Sequence, residues 1–174
     1  QNKLSEKIFA LDFDSETIDL AKNDNVIDDG ANNFSLFEEK FDLIIIATPP
    51  SSYEEVFSEI ENLITANSII IDLGSLKSFI ADILPDKLQS NFIACHPIAG
   101  SEKSGFENSQ PDLFTNKKFI ICPDKKTNPD SLKKLEDLVK ILGCNSEILT
   151  PKKHDEIYAL VSHLPQFISF LTKE

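Results

Sequence analysis

Residues 41–48 read Phe-Asp-Leu-Ile-Ile-Ile-Ala-Thr, and Pro49 and Pro50 follow at once. A short run of β-branched residues closed by a turn signal is the mark of a strand buried on both faces, as in a parallel sheet. Ser52 and Glu55 then form a capping-box pattern. Tyr53, Val56, Phe57, Ile60, Leu63 and Ile64 recur at the spacing of one buried helix face. The same alternation extends in both directions. Residues 7–12 (KIFALD) read as a strand and 15–22 as a short helix. Residues 68–73 form the next strand, and Ser75 can cap a helix carrying Leu76, Phe79, Ile80, Ile83 and Leu84. Strands follow at 91–95, 117–122 and 145–149. A helix at 129–142 is closed by Gly143, and Thr150 with Pro151 starts another as N-cap and first helical residue. Apolar strands alternating with helices predict an α/β domain with a mostly parallel sheet.

The 174 residues are 41% hydrophobic, enough for one domain with its own core. The formal charge is −12 and all basic residues are lysines, a balance that disfavours nucleic acid and anionic membrane as partners. The longest apolar runs are too short for a bilayer span. Cys95, Cys122 and Cys144 are scattered and odd in number, which fits reduced thiols in a cytoplasmic protein. There is no methionine, and the apolar stripe of Phe167, Ile168, Phe170 and Leu171 stops at Glu174, so the chain reads as a fragment.

In open α/β sheets ligands bind beyond the carboxyl ends of the strands. Three such ends carry polar or special residues: Asp12, the Thr48-Pro49-Pro50 turn, and Asp72 to Ser75. A carboxylate after a strand can accept bonds from the ribose hydroxyls of a dinucleotide and repel a 2′-phosphate, so Asp12 favours NAD over NADP. A helix-capping role is the competing reading, but Asp14 is better placed to cap, which frees Asp12. The glycine-rich phosphate loop belongs about 20 residues before the ribose acid. Only eleven residues precede Asp12, none of them Gly, which puts the loop and its strand upstream, between the 7–12 and 41–48 strands in the usual order. Such a piece is expected to bind NAD weakly and to be inactive by itself. Thr48, Pro49 and Pro50 suit either contact with a dinucleotide or a rigid turn.

The segment 95–106, Cys-His-Pro-Ile-Ala-Gly-Ser-Glu-Lys-Ser-Gly-Phe, starts at a strand's carboxyl end and holds two glycines among polar groups. Such a loop can approach a small anion closely, and a histidine in it is placed for structural or proton-transfer work. Cys95 and His96, as strand neighbours, point to opposite faces, which argues against a thiolate–imidazole pair. Lys77 hints at a local partner, Asp72. The three histidines have no metal-ligand spacing, so no metal is expected.

The stretch HPIAGSEKSGF at 96–106 resembles the substrate loop of prephenate dehydrogenases. Residues 162–165 (SHLP) and 72–77 (DLGSLK) resemble two further motifs of that family, in its order. The resemblance implies a Rossmann-like domain over 1–150, followed from 151–174 by the start of an all-helical domain that dimerises. It implies NAD-dependent oxidative decarboxylation of prephenate to 4-hydroxyphenylpyruvate in tyrosine biosynthesis, or of arogenate to tyrosine. His96 resembles the catalytic histidine, and Ser75 the serine that holds the substrate hydroxyl and the nicotinamide. Gly100, Ser101, Glu102 and His163 match substrate-pocket positions. Gln166 stands where many relatives carry a second histidine, which bears on the choice between prephenate and arogenate. The family's substrate-binding arginine has no counterpart among these residues. His154 echoes a family pattern and reads as a structural, locally hydrogen-bonded residue. A β-hydroxyacid dehydrogenase and a non-catalytic remnant are the competing readings; the 96–106 loop speaks against the first.

Overall fold

The computed structural model describes residues 5–100 and 105–172 and, of Gln166, the backbone alone. The described residues fall into two units, 5–40 with 105–111 and 41–100 with 112–172.

In the first unit, β1 (Phe9–Leu11) and β2 (Asp29–Ala31) pair in parallel, joined by α1 (Ser15–Asn23). Asp14 caps α1, its carboxylate accepting from the Glu16 amide at 3.0 Å and the Thr17 hydroxyl at 2.9 Å. That is the capping role the sequence assigns to it. Asp12, just past β1, is exposed and accepts a local bond from the Asp14 amide.

The second unit carries a five-stranded sheet in the order β3 (Leu43–Ile46), β4 (Ile69–Asp72), β5 (Phe92–Pro97), β6 (Lys118–Cys122), β7 (Asn145–Ile148). All pairs are parallel except β5–β6. The expectation of a mostly parallel sheet is met. Helix α2 (Tyr53–Ile60) buries Tyr53, Val56, Phe57 and Ile60, the stripe read from the sequence. The Phe57 ring meets Phe92 of β5 edge-on at 5.6 Å. On α4 (Pro129–Ile141), Leu135 and Val139 pack into a cluster with Ile69, Ile71, Ile93, Cys95, Phe119, Ile121 and Cys144. This helix ends in a Schellman turn. The Cys144 amide reaches the Val139 carbonyl and the Gly143 amide the Lys140 carbonyl, with Gly143 at φ 76°, where a Cβ would be strained. Thr150 caps α5 (Pro151–Tyr158) through the Lys153 amide, with Pro151 leading, as expected. A π-helical turn (Ala159–His163) connects it to α6 (Leu164–Leu171). No helix among the described residues is long and apolar enough to cross a membrane.

Three local expectations are corrected. β3 is not buried on both faces: it is an edge strand among the described residues, and Ile45 is 51% exposed. The Ser52–Glu55 capping box does not form, because a 3-10 turn (Pro50–Ser52) precedes α2 and the Ser52 hydroxyl donates back to the Pro49 carbonyl. Ser75 caps no helix. Only the single turn α3 (Ile80–Ile83) forms there.

Candidate active site

β4 and β5 run in parallel, so their carboxyl ends lie side by side and bring Asp72 and His96 to the same end of the sheet. Asp72 is fully buried. Its carboxylate accepts from the Tyr53 hydroxyl at 3.0 Å, the Gly74 amide at 3.0 Å and the Cys95 amide at 2.9 Å, and it pairs with the Lys77 ammonium. The Lys77 side chain is itself fully buried, so the partner inferred from sequence is the one found. A single carboxylate thus fixes α2, the turn after β4 and the backbone of β5. Gly74 has to be glycine, since a Cβ would lie 2.7 Å from the Tyr53 hydroxyl and 3.2 Å from the Asp72 carboxylate. Burial, with Asp72 next, pushes the Tyr53 phenol up, so it stays a donor; burial likewise raises the Cys95 thiol.

The backbone after Ser75 is held from outside. The amides of Lys77 and Ser78 donate to the two carboxylate oxygens of Asp155, at 2.9 and 2.8 Å, from 78 and 77 residues away. The Lys77 carbonyl accepts from the Ile80 amide at 3.3 Å, so a helical turn begins here with Asp155, not Ser75, taking the free amides at its start. Ser75 is left exposed.

His96 is half-buried at the end of β5. Its Nδ1 lies 2.8 Å from Nε2 of His154, which is 0% exposed, and Nδ1 of His154 lies 2.8 Å from Asp155. Tyr158 stacks on His154, with ring centroids 4.6 Å apart, and meets His96 edge-on at 5.2 Å. Among the described residues nothing hydrogen-bonds His96 Nε2. Burial, then the charges of His154, Lys77 and His163, lower the His96 imidazole to about 4 against the opposing pull of Asp155. His154 is lowered as well, first by burial, with Asp155 opposing. Cys95 faces the apolar cluster behind β5, as the strand alternation requires.

This arrangement carries a pH signature. The folded state holds His96 below its ordinary value of 6.5, so the unfolded chain binds more protons between that value and about 4. The contribution to stability is complete above 6.5 and is lost as pH falls through this window. Thermal midpoints measured from pH 7 to 4 are expected to drop less in His96→Asn than in the wild type; parallel curves would contradict the assignment.

The structure sets several expected residues in and around this end of the sheet. Ser75 follows β4, and His163 closes the π-helical turn after α5, within electrostatic reach of His96. Thr48 follows β3, and its hydroxyl is buried without a hydrogen-bond partner among the described residues. Pro49 and Pro50 start the 3-10 turn, and Gly100 is exposed with open space around it. Asp12 belongs to the other unit. Ser101, Glu102, Lys103 and the Gln166 side chain lie outside the described residues. Two contributors went unread in the sequence, Asp155 and Tyr158, and His154 has more than a local role. The available signal was the i, i+4 pair His154 and Tyr158 on one face of a helix whose start Thr150-Pro151 announces. Among the described residues, no group of three or more His, Cys, Asp or Glu could hold a metal.

An open α/β sheet with polar groups gathered beyond its carboxyl strand ends defines a nucleotide-binding type of domain. The family model for the prephenate dehydrogenase nucleotide-binding domain matches residues 1–149, and the chain belongs to that family. It is 30% identical to the prephenate dehydrogenase of Bacillus subtilis, over 97% of this chain and 46% of that protein. Among solved structures it is similar to A. aeolicus prephenate dehydrogenase in complex with hydroxyphenyl propionate and NAD+, with TM-score 0.90 and 30% identity, covering 97% of this chain and 59% of that one. It is also similar to Synechocystis arogenate dehydrogenase, with TM-score 0.81 and 25% identity, covering 95% and 61%. The chain spans about half the length of the curated relatives it matches.

Proposed function

We propose that this chain is the cofactor-binding part, residues 1–150, and the start of the helical part, residues 151–174, of an NAD-dependent dehydrogenase that oxidatively decarboxylates prephenate to 4-hydroxyphenylpyruvate. The observation that carries the reading is His96 at the carboxyl end of β5, held neutral and bonded through Nδ1 alone among the described residues. An imidazole in that state can take the proton of a ring hydroxyl. Bound NAD would supply the acceptor for the hydride of the same carbinol carbon. Loss of carbon dioxide then aromatises the ring, and the proton lent to His96 returns to the phenolate oxygen. The tasks of this chain are to align the ring and to manage that proton.

Ser75 is assigned to the substrate hydroxyl and the nicotinamide, and Gly100, Ser101, Glu102, His163 and Gln166 to the substrate. For the dinucleotide, the buried unpartnered hydroxyl of Thr48 beyond β3 is a fitting polar contact, with Pro49 and Pro50 stiffening the turn. Asp12, exposed beyond β1, suits the ribose hydroxyls. Its charge, with no arginine in the chain to neutralise a 2′-phosphate, sets the cofactor choice. In the full-length protein kcat/KM is expected to be clearly higher with NAD than with NADP; a preference for NADP would overturn the role of Asp12.

A second reading, arogenate as substrate, is favoured by one residue. Gln166 can hydrogen-bond but cannot ionise where many relatives carry histidine. Gln166→His is expected to move the ratio of prephenate to arogenate turnover, and an unchanged ratio would remove Gln166 from the pocket. Leu164, Phe167, Ile168, Phe170 and Leu171 of α6 are 47–70% exposed, an apolar face suited to a homodimer through the helical domain. The buried, unpaired thiols of Cys95, Cys122 and Cys144 suit a cytoplasmic enzyme.

A further inference from the structure

The hydrogen bonds among His96, His154 and Asp155 leave one consistent arrangement of protons. Asp155 is anionic: burial opposes it, but bonds from Ser78, His154 and the amides of Lys77 and Ser78 draw its carboxyl down to about 2. An ionised carboxylate only accepts, so Nδ1 of His154 carries the hydrogen of their 2.8 Å contact. The His154 ring is buried and neutral, so its Nε2 offers a lone pair. The 2.8 Å contact from that nitrogen to His96 Nδ1 can then form only if His96 donates. His96 is thereby the Nδ1–H tautomer, with the lone pair on Nε2.

We propose that His154 and Asp155 are positioning residues of the active site: His154 fixes the tautomer and orientation of His96 so that Nε2 accepts the substrate proton, and Asp155 fixes His154. Asp155 does more than orient one ring. Through the amides of Lys77 and Ser78 it also anchors the segment that follows Ser75, so one carboxylate ties both substrate-facing elements to the start of α5. Tyr158, stacked on His154, keeps that ring from turning. The inference rests on the reading of His96 as the proton acceptor.

Two-bond nitrogen–proton correlation spectra of the full-length, 15N-histidine-labelled protein test it directly, with His96 assigned by the signals lost in His96→Asn. His96 is expected to be protonated on Nδ1 and bare on Nε2; the opposite tautomer would overturn the proposal without any variant of His154. Two substitutions then separate orientation from mere filling of space. In His154→Gln the side-chain carbonyl can still accept from His96 Nδ1, and kcat is expected to stay within about tenfold of wild type. In His154→Phe the acceptor is gone, and kcat is expected to fall about 10²-fold with KM little changed, at the low end of what a positioned base contributes. A wild-type kcat in His154→Phe would overturn the proposal, and if that variant fails to fold the tautomer decides. A normal kcat in His96→Asn would instead remove the base assignment itself, while the tautomer measurement still judges the His154 contact.

Discussion

In His96→Asn of the full-length protein, kcat is expected to fall by at least about 10²-fold, while KM for the substrate changes far less. Asparagine keeps a polar group of similar reach near His154 but has no nitrogen that can take a proton at neutral pH. The geometry makes this a clean test. His96 sits at the end of a strand whose backbone Asp72 pins at Cys95, so the substitution removes the imidazole and leaves its support in place. A kcat near wild type would mean that His96 shapes the pocket and another group takes the proton.

The second large effect concerns stability. Lys77→Met is expected to destabilise the protein by about 3–5 kcal/mol, the cost of leaving one member of a buried ion pair uncompensated. Asp72 is fully buried, and its remaining partners, the Tyr53 hydroxyl and the Gly74 and Cys95 amides, cannot neutralise its charge. Adding Asp72→Asn to Lys77→Met removes the stranded charge and keeps a carbonyl acceptor, so the double variant is expected to be more stable than Lys77→Met. Urea unfolding measures both. A loss below about 1 kcal/mol for Lys77→Met would place the pair in the weak class of exposed ion pairs.

Those two residues show what the sequence makes legible and what it does not. The sheet could be read because β3 to β6 are short runs of mostly apolar residues, and the end of α4 and the start of α5 because Gly143 and Thr150-Pro151 act locally. The pairing of Lys77 with Asp72 was legible for the same reason, as only five residues separate them. The cap expected of Ser75 failed because Asp155, far along the chain, takes the amides of Lys77 and Ser78 instead. β2 escaped because Asp29-Gly30-Ala31 has no apolar run to mark it. The contact between His96 and His154 spans 58 residues, and nothing in the spacing of the three histidines announces it. Motif resemblance located His96; the folded chain supplied the residues that hold it.

The central claim, that this chain is the catalytic dinucleotide-binding part of a prephenate dehydrogenase, is tested most directly by following NADH formation by the full-length protein with prephenate and, separately, with arogenate. Prephenate is expected to be consumed with one NADH and one carbon dioxide formed per 4-hydroxyphenylpyruvate. Failure to reduce NAD with either substrate, in a folded protein that carries His96, would contradict it.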